Sequence, residues 1–251
     1  MSSYKSPSAA RMLGVRWAAV SDPGRRKRNE DRFGAWRGDA GIALMVADGM
    51  GGHPGGEVAA HMAVDAALKF LRKAGRLPDP GRLLSAISER IFVFGEQHPP
   101  YAGLGAAAAL AMVRGVKLVH AHAGDVRIFL CRRGELILLT PPHELSAILV
   151  REGVLSEEER STSPIRGTLT SYLGLADAKI STGEILLEPG DRLALVSDGV
   201  LEGGVERLLK ALSEPDPSRA AHVAVRGFPS EDNATAIVAG IRGMEGPCSE
   251  S

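Results

Sequence analysis

The chain has 251 residues, of which 44% are hydrophobic and 24% charged, so there is ample apolar material for a buried core. Lys+Arg and Asp+Glu each total 30, leaving zero formal net charge. No overall field then favours nucleic acid or an anionic membrane, and partners must be recognised locally. The two cysteines, Cys131 and Cys248, are too few and too far apart for a disulfide framework. The N-terminus lacks the apolar core of a signal peptide, and no stretch approaches the ~20 apolar residues that span a bilayer, so a cytoplasmic location is expected.

Polar, aperiodic ends at residues 1–12 and 243–251 read as flexible tails around one folded body, 13–242. The first strand is expected over Gly14 to Val20. A basic loop follows, and then the apolar run Gly41 to Ala47 suits a strand buried on both faces. Beyond a glycine-rich turn, Val58, Met62, Ala66 and Phe70 recur every fourth residue, widened by Ala59, Ala63 and Leu71, as in a helix with one buried face. A second helix after Pro80 carries Leu84, Ile87, Ile91 and Phe94. Short turns then separate strands over 106–113, 116–123, 126–131 and 135–139, which implies antiparallel meanders. Further strands are expected at 180–187, 192–196 and 235–241, with a helix at 205–212. The polar stretch 142–170, with Ser156 as a helix cap, reads as a flap-like insertion. This order is not the strict alternation of a parallel sheet.

Four acidic positions sit at strand ends or in adjoining loops: Asp48, Asp125, Asp198 and Asp232. Singly, an Asp-Gly pair is the commonest hairpin signal. Jointly, several carboxylates delivered to one rim of a sheet repel each other unless cations lie between them. Hard oxygen ligands select Mg²⁺ or Mn²⁺, and no Cys/His cluster competes as a zinc site. A pair of such ions would suit attack of water on a phosphate monoester.

The motifs resemble those of the metal-dependent protein phosphatases, the PPM or type 2C family, in a divergent bacterial form. They run in the family's order: SDPGRRKRNED at 21–31, VADGMGGHPGGE at 46–57, AGDVR at 123–127, PGDRLALVSDG at 189–199 and SEDNAT at 230–235. The resemblance implies an α+β fold, a four-layer α-β-β-α sandwich of two mainly antiparallel sheets flanked by helices. It also implies two Mn²⁺ or Mg²⁺ ions per active site and an additional weaker one. By position, Asp48 would bridge the two ions, the Gly49 carbonyl would ligate the second, and Asp198 and Asp232 would complete the first. Asp125 with Asp198 would form the weaker site, and Glu30 and Asp31 would hold coordinated waters from the outer sphere. Arg26, four residues before Glu30, matches the family's phosphate-binding arginine. The run Arg25 to Arg28 could alone be a solvated loop or a weak nucleic-acid patch, a reading that the following Asn29-Glu-Asp31 weakens.

His53 is a candidate acid toward the leaving alkoxide or a loop filler. The glycine-rich loop around it lacks the Lys-Ser/Thr ending of a P-loop. His120, His122, His143, Trp17 and Trp36 read as packing residues. Departures from the family are Ala106-Ala107 in place of threonines, Pro142 before His143, Gly167 after Arg166, and a shortened opening motif. The activity implied is hydrolysis of phosphoserine and phosphothreonine in proteins, opposing a Ser/Thr kinase, by a monomer that binds neither nucleic acid nor membrane. The alternative is a catalytically weak pseudophosphatase that binds phosphoproteins.

Overall fold

A computed structural model describes residues 13–50 and 55–243. Among these, ten strands form two five-stranded antiparallel sheets. The strands are β1 (Leu13–Asp22), β2 (Asp31–Gly38), β3 (Gly41–Gly49), β4 (Ala106–Arg114), β5 (Lys117–Ala123), β6 (Arg127–Arg132), β7 (Glu135–Leu138), β8 (Ser181–Leu186), β9 (Arg192–Val196) and β10 (Ala234–Gly243). Sheet A runs β1-β10-β9-β6-β7 and sheet B runs β2-β3-β4-β5-β8.

Three apolar layers hold the sheets and helices together. Between the sheets, Leu44, Val46, Leu118, Ile128, Leu130, Leu195 and Ile237 are buried. Helices α1 (Gly56–Ala74) and α2 (Pro80–Gln97) cover the outer face of sheet B through Ala63, Val64, Leu84 and Ile91. Helices α5 (Val205–Leu212) and α6 (Pro217–Arg226) cover sheet A through Leu208, Leu212, Ala221 and Val225. This is the expected α-β-β-α sandwich. Strands β3 and β4 are buried on both faces, which explains why they read as unbroken apolar runs.

Several expectations are corrected. The segment after the basic loop is a strand: β2 pairs with β3 along its length. Its charged and small residues, DRFGAWRG, hide the pattern because it is an edge strand. In α1 the buried stripe is Ala59, Ala63, Val64, Ala67 and Leu71, whereas Phe70 is 44% exposed. The helix is therefore rotated so that alanines, not the larger residues, meet the sheet and allow close approach. The strands over 106–138 are not one meander: β4 pairs with β5 and β6 with β7, but β5 and β6 lie in different sheets, and the chain changes sheet at Gly124-Asp125. Helix α6, capped by Asp216 and opened by Pro217, was not expected. The stretch 142–170 contains two short helices, α3 (Leu145–Arg151) and α4 (Glu157–Thr162), the latter with a capping box on Ser156. Gly243 belongs to β10, paired with Leu13, and not to a tail. The tail residues 1–12 and 244–251 lie outside the described residues.

Candidate active site

The strand ends converge at one end of the sandwich. Asp31 and Asp48 are direct cross-strand partners on β2 and β3, so their side chains project side by side toward the gap between the sheets. Asp125 sits where the chain crosses from sheet B to sheet A. Asp198 opens a 3₁₀ turn directly after β9, and Asp232 lies two residues before β10. No hairpin is made at Asp48-Gly49. Instead β3 ends there against the start of α1, and a Cβ on Gly49 would overlap the Gly56 carbonyl, so only glycine permits this junction.

A cleft of about 590 Å³ collects these groups. Glu30, Asp48, Gly49, Asp125, Asp198 and Asp232 line it, with Arg26, Lys27 and Arg28 along one rim and Leu169 and Tyr172 along another. Asp31 lies beneath, 2% exposed. His53 lies outside the described residues. Ala107, at one of the expected threonine positions, also faces the cleft, beside Asp48 in the register.

The electrostatics are those of charge without enough countercharge. Asp48, part-exposed to the cleft yet surrounded by protein, has its carboxyl pushed well above the ordinary range, first by desolvation and then by Asp31, Asp198, Asp125 and Asp232. Desolvation, with Asp125, Asp232 and Asp31, raises Asp198 to about 7. Asp31 and Asp125 are raised mainly by desolvation, Asp125 being partly relieved by Arg127. Glu30 is raised by desolvation and by Glu57. Two carboxylate oxygens, Glu30 Oε2 and Asp31 Oδ1, are buried with no hydrogen-bond partner. Buried acceptors in native structures are nearly always satisfied, so such orphans call for an absent donor or ion.

A polar scaffold fixes these carboxylates. Ser197 Oγ donates to Asp31 Oδ2 at 2.8 Å and accepts from the Thr235 N–H. Asn233 clamps the loop before β2: its Nδ2 donates to the carbonyls of Pro23 and Arg28, and its Oδ1 accepts from the Glu30 N–H at 2.8 Å. Asn29 reaches Ser21, which is bonded to Thr235. Sequence reasoning assigned no role to Asn233, Ser197 or Asn29. The only available signal was Asn233's adjacency to Asp232, because an amide clamp has no periodicity.

Arg26 is placed differently from expectation. Its Nη2 donates to Asp232 Oδ2 at 2.7 Å, so the cation that was to face phosphate also holds a proposed metal ligand. Among the described residues no three His, Cys, Asp or Glu side chains already form a metal-holding group. The donor chemistry nevertheless fits hard cations: six clustered carboxylates, all oxygen donors, with Glu30, Asp31, Asp48, Asp125 and Asp198 raised above their ordinary range and two oxygens orphaned. Movement of Asp232 off Arg26 would complete the set.

His120, His122 and His143 lie apart from this group. The rings of His122 and His143 lie 4.5 Å apart and are tilted by 32°, Nε2 of His143 meets Ser181 Oγ, and Nδ1 of His143 accepts from the Gly124 N–H at 3.4 Å.

The comparisons with known proteins agree with this geometry. A sequence model of the family described as protein phosphatase 2C matches residues 24–235. The chain is 33% identical over 247 residues to the serine/threonine protein phosphatase PstP of Mycobacterium tuberculosis, an alignment covering 91% of this chain but only 45% of that protein. It is 29% identical to the serine/threonine phosphatase stp of Listeria innocua, covering 87% of this chain and 92% of that one. Among solved structures, the catalytic domain of PstP in complex with two manganese ions superposes with a TM-score of 0.78 at 32% identity, covering 92% of this chain and 99% of that domain. A Streptococcus agalactiae serine/threonine phosphatase gives the same TM-score at 28% identity, covering 90% and 99%. With the cleft at the end of an α-β-β-α sandwich and a family match over most of its length, the chain belongs to the protein phosphatase 2C family, as a bacterial-type serine/threonine protein phosphatase.

Proposed function

We propose that this phosphatase hydrolyses phosphoserine and phosphothreonine monoesters of proteins in a reaction that depends on two Mn²⁺ or Mg²⁺ ions. The observation that carries the reading is the gathering of Asp48, Asp125, Asp198, Asp232 and buried Asp31 beneath a rim of basic residues. Asp48, the Gly49 carbonyl, Asp198 and Asp232 would hold the pair, and Asp125 with Asp198 a third, weaker ion. When bound, such ions supply a water of lowered pKa and neutralise charge developing on phosphorus.

The chain's own residues do the rest. Asp31 and Glu30, held by Ser197 and Asn233, present acceptors that orient water around the cations. Arg26 exchanges its bond to Asp232 for the phosphate oxygens, so substrate and metal ligand compete for one guanidinium. Lys27 and Arg28 draw the dianion to the rim. Leu169, at the end of the flap-like insertion, and Tyr172, just after it, offer an apolar wall for the peptide beside the phosphorylated residue. The substrates would be products of a Ser/Thr kinase, and the enzyme would act as a monomer.

The pseudophosphatase alternative gains nothing from the geometry, because every carboxylate proposed as a metal ligand, Asp48, Asp125, Asp198 and Asp232, lines the cleft. The test is turnover of p-nitrophenyl phosphate and a phosphothreonine peptide with Mn²⁺, with chelator, and in Asp198→Ala. Turnover indifferent to chelation would sink the proposal.

A further inference from the structure

At the other end of sheet A, four residues line up across four strands. The register pairs Arg16 of β1 with Gly240 of β10, Gly240 with Arg192 of β9, and Arg192 with Cys131 of β6. Cross-strand partners project to the same face, and residues two apart share that face. This row lies on the outer side of the sheet, because Ala194 and Val238 on the same strands pack under α5 and α6. Arg242, two residues beyond Gly240, points the same way.

Glycine in the middle of the row leaves no side chain between the two arginines. A Cβ at position 240 would first meet Pro217 Cγ at 3.8 Å. The result is a cavity of about 340 Å³ floored by Gly240, flanked by Arg16, Arg192 and Arg242, and walled by Pro215 and Pro217 where α6 begins. It shares no lining residue with the cleft.

The charge here is also unmatched, with the opposite sign. Arg192 donates from Nη1 to the Pro215 carbonyl at 3.2 Å, but its Nε and Nη2 are buried with no partner. Among the described residues, none of the three arginines forms an ion pair. The nearby acids are engaged elsewhere. Asp191 is taken by Arg132 and the Glu188 N–H, Asp216 caps α6 at the Arg219 N–H, and Glu214 pairs with Arg219. Buried guanidinium N–H groups without acceptors are costly, and a fork of two such donors matches an oxyanion. A carboxylate would satisfy one guanidinium. Three arginines lining one cavity suit a tetrahedral anion with more oxygens.

We propose that this cavity is a second anion site, binding a phosphate group away from the cleft. Arg192 supplies the inner N–H pair, and Arg16 and Arg242 close on the anion from the neighbouring strands. Free phosphate and a phosphorylated side chain carry the same group, and the test separates them.

The full chain, in chelator, is titrated with inorganic phosphate, a phosphothreonine peptide and the same peptide unphosphorylated. Binding is read by calorimetry and by the amide resonance of Gly240. Phosphate and phosphopeptide should both shift that resonance, and the unphosphorylated peptide should not. A response to the phosphopeptide alone also supports the site and assigns its source to phosphoprotein. Arg192→Lys, which keeps the charge but loses the fork, should weaken binding about tenfold, the scale of one charge-assisted hydrogen bond. Should that variant fail to fold, Gly240→Ile carries the test. A β-branched residue suits a strand and would fill the floor, abolishing the Gly240-site response while p-nitrophenyl phosphate turnover stays unchanged. Equal phosphate affinity in Gly240→Ile and the parent chain, equal binding of the unphosphorylated peptide, or shifts confined to cleft residues would overturn the proposal.

Discussion

Asp191 and Asp198 stand at the two ends of β9, both largely enclosed by protein, and their surroundings differ in kind. Asp191 is 2% exposed and fully engaged: Arg132 grips it with two bonds of 2.9 and 2.7 Å, and the Glu188 N–H adds a third. Asp198 faces Asp125, Asp232 and Asp31 and no arginine grips it, so burial and repulsion raise it to about 7. A buried charge kept for folding comes with its partner built in. One kept for binding is left for a ligand to complete, and the fold bears the cost meanwhile.

The largest effects should therefore cross over. Asp198→Ala is expected to lower Mn²⁺-supported turnover roughly a thousandfold, the several kcal/mol that metal stabilisation contributes. Asp198→Asn should raise the unfolding free energy of the chelated protein by on the order of 1 kcal/mol or more, because it removes a repelled charge. Steady-state kinetics and urea unfolding check the two. Asp191→Ala should do the reverse. Arg132 keeps Glu188 and the Leu186 carbonyl, so the loss is that of the buried carboxylate's own bonds to Arg132 and the Glu188 N–H, expected to cost ~1–3 kcal/mol of stability while turnover per folded molecule persists. If Asp191→Ala unfolded at the parent's urea midpoint, the distinction between the two aspartates would fail.

The same contrast explains what could be read in advance. Sequence order was enough to bring Asp48, Asp125, Asp198 and Asp232 to one cleft, because each follows or precedes an apolar strand and strand ends gather at a sheet's rim. Strands β3 and β4 were plain for the same reason, since burial on both faces leaves only apolar residues. Edge strand β2, with its charged and glycine residues, carried no such signal, and α6 buries mostly alanines (Ala220, Ala221 and Ala224), which give little apolar contrast to read. The face of α1 was misjudged because size was taken for burial, whereas close packing on the sheet selects alanine. Asn233's clamp and the bond from Arg26 to Asp232 depend on contacts some 200 residues apart, which no local pattern encodes.

A pH titration sharpens the comparison at intermediate scale. His120 and His143 are lowered to about 4, chiefly by desolvation. Unfolding lets them take up protons below their ordinary value of 6.5, so stability should fall as pH drops from 6.5 toward 4. Asp198 and Asp48 act oppositely. Each binds its proton more tightly folded than unfolded, so the stability they contribute is full at low pH and is lost as pH rises through about 7. Metal separates the two groups, because it holds the aspartates deprotonated in the folded protein and leaves the histidines alone. Saturating Mn²⁺ should therefore make stability rise more steeply with pH between 6.5 and 8 than it does in chelator. Urea unfolding at pH 6.5 and 8, with and without metal, checks this; an unchanged slope on adding metal would separate Asp198 from the metal centre.

The smallest effect concerns Arg26. Were it only a phosphate contact, Arg26→Ala would raise KM and leave metal affinity untouched. Its bond to Asp232 adds a second consequence. The pair is substantially solvent-exposed, with 56% of the arginine and 35% of the aspartate side chain accessible, so it contributes only ~0.2–1 kcal/mol. Removing the arginine frees Asp232 for a cation, and Mn²⁺ affinity in the absence of substrate should improve by at most about fivefold. The phosphate contact is lost at the same time, and KM for the phosphothreonine peptide should rise about tenfold or more. Calorimetric Mn²⁺ titration and steady-state kinetics on one variant would thus move in opposite directions. A parallel loss of both would mean that Arg26 supports the metal centre, and the proposed exchange from Asp232 to phosphate would be wrong.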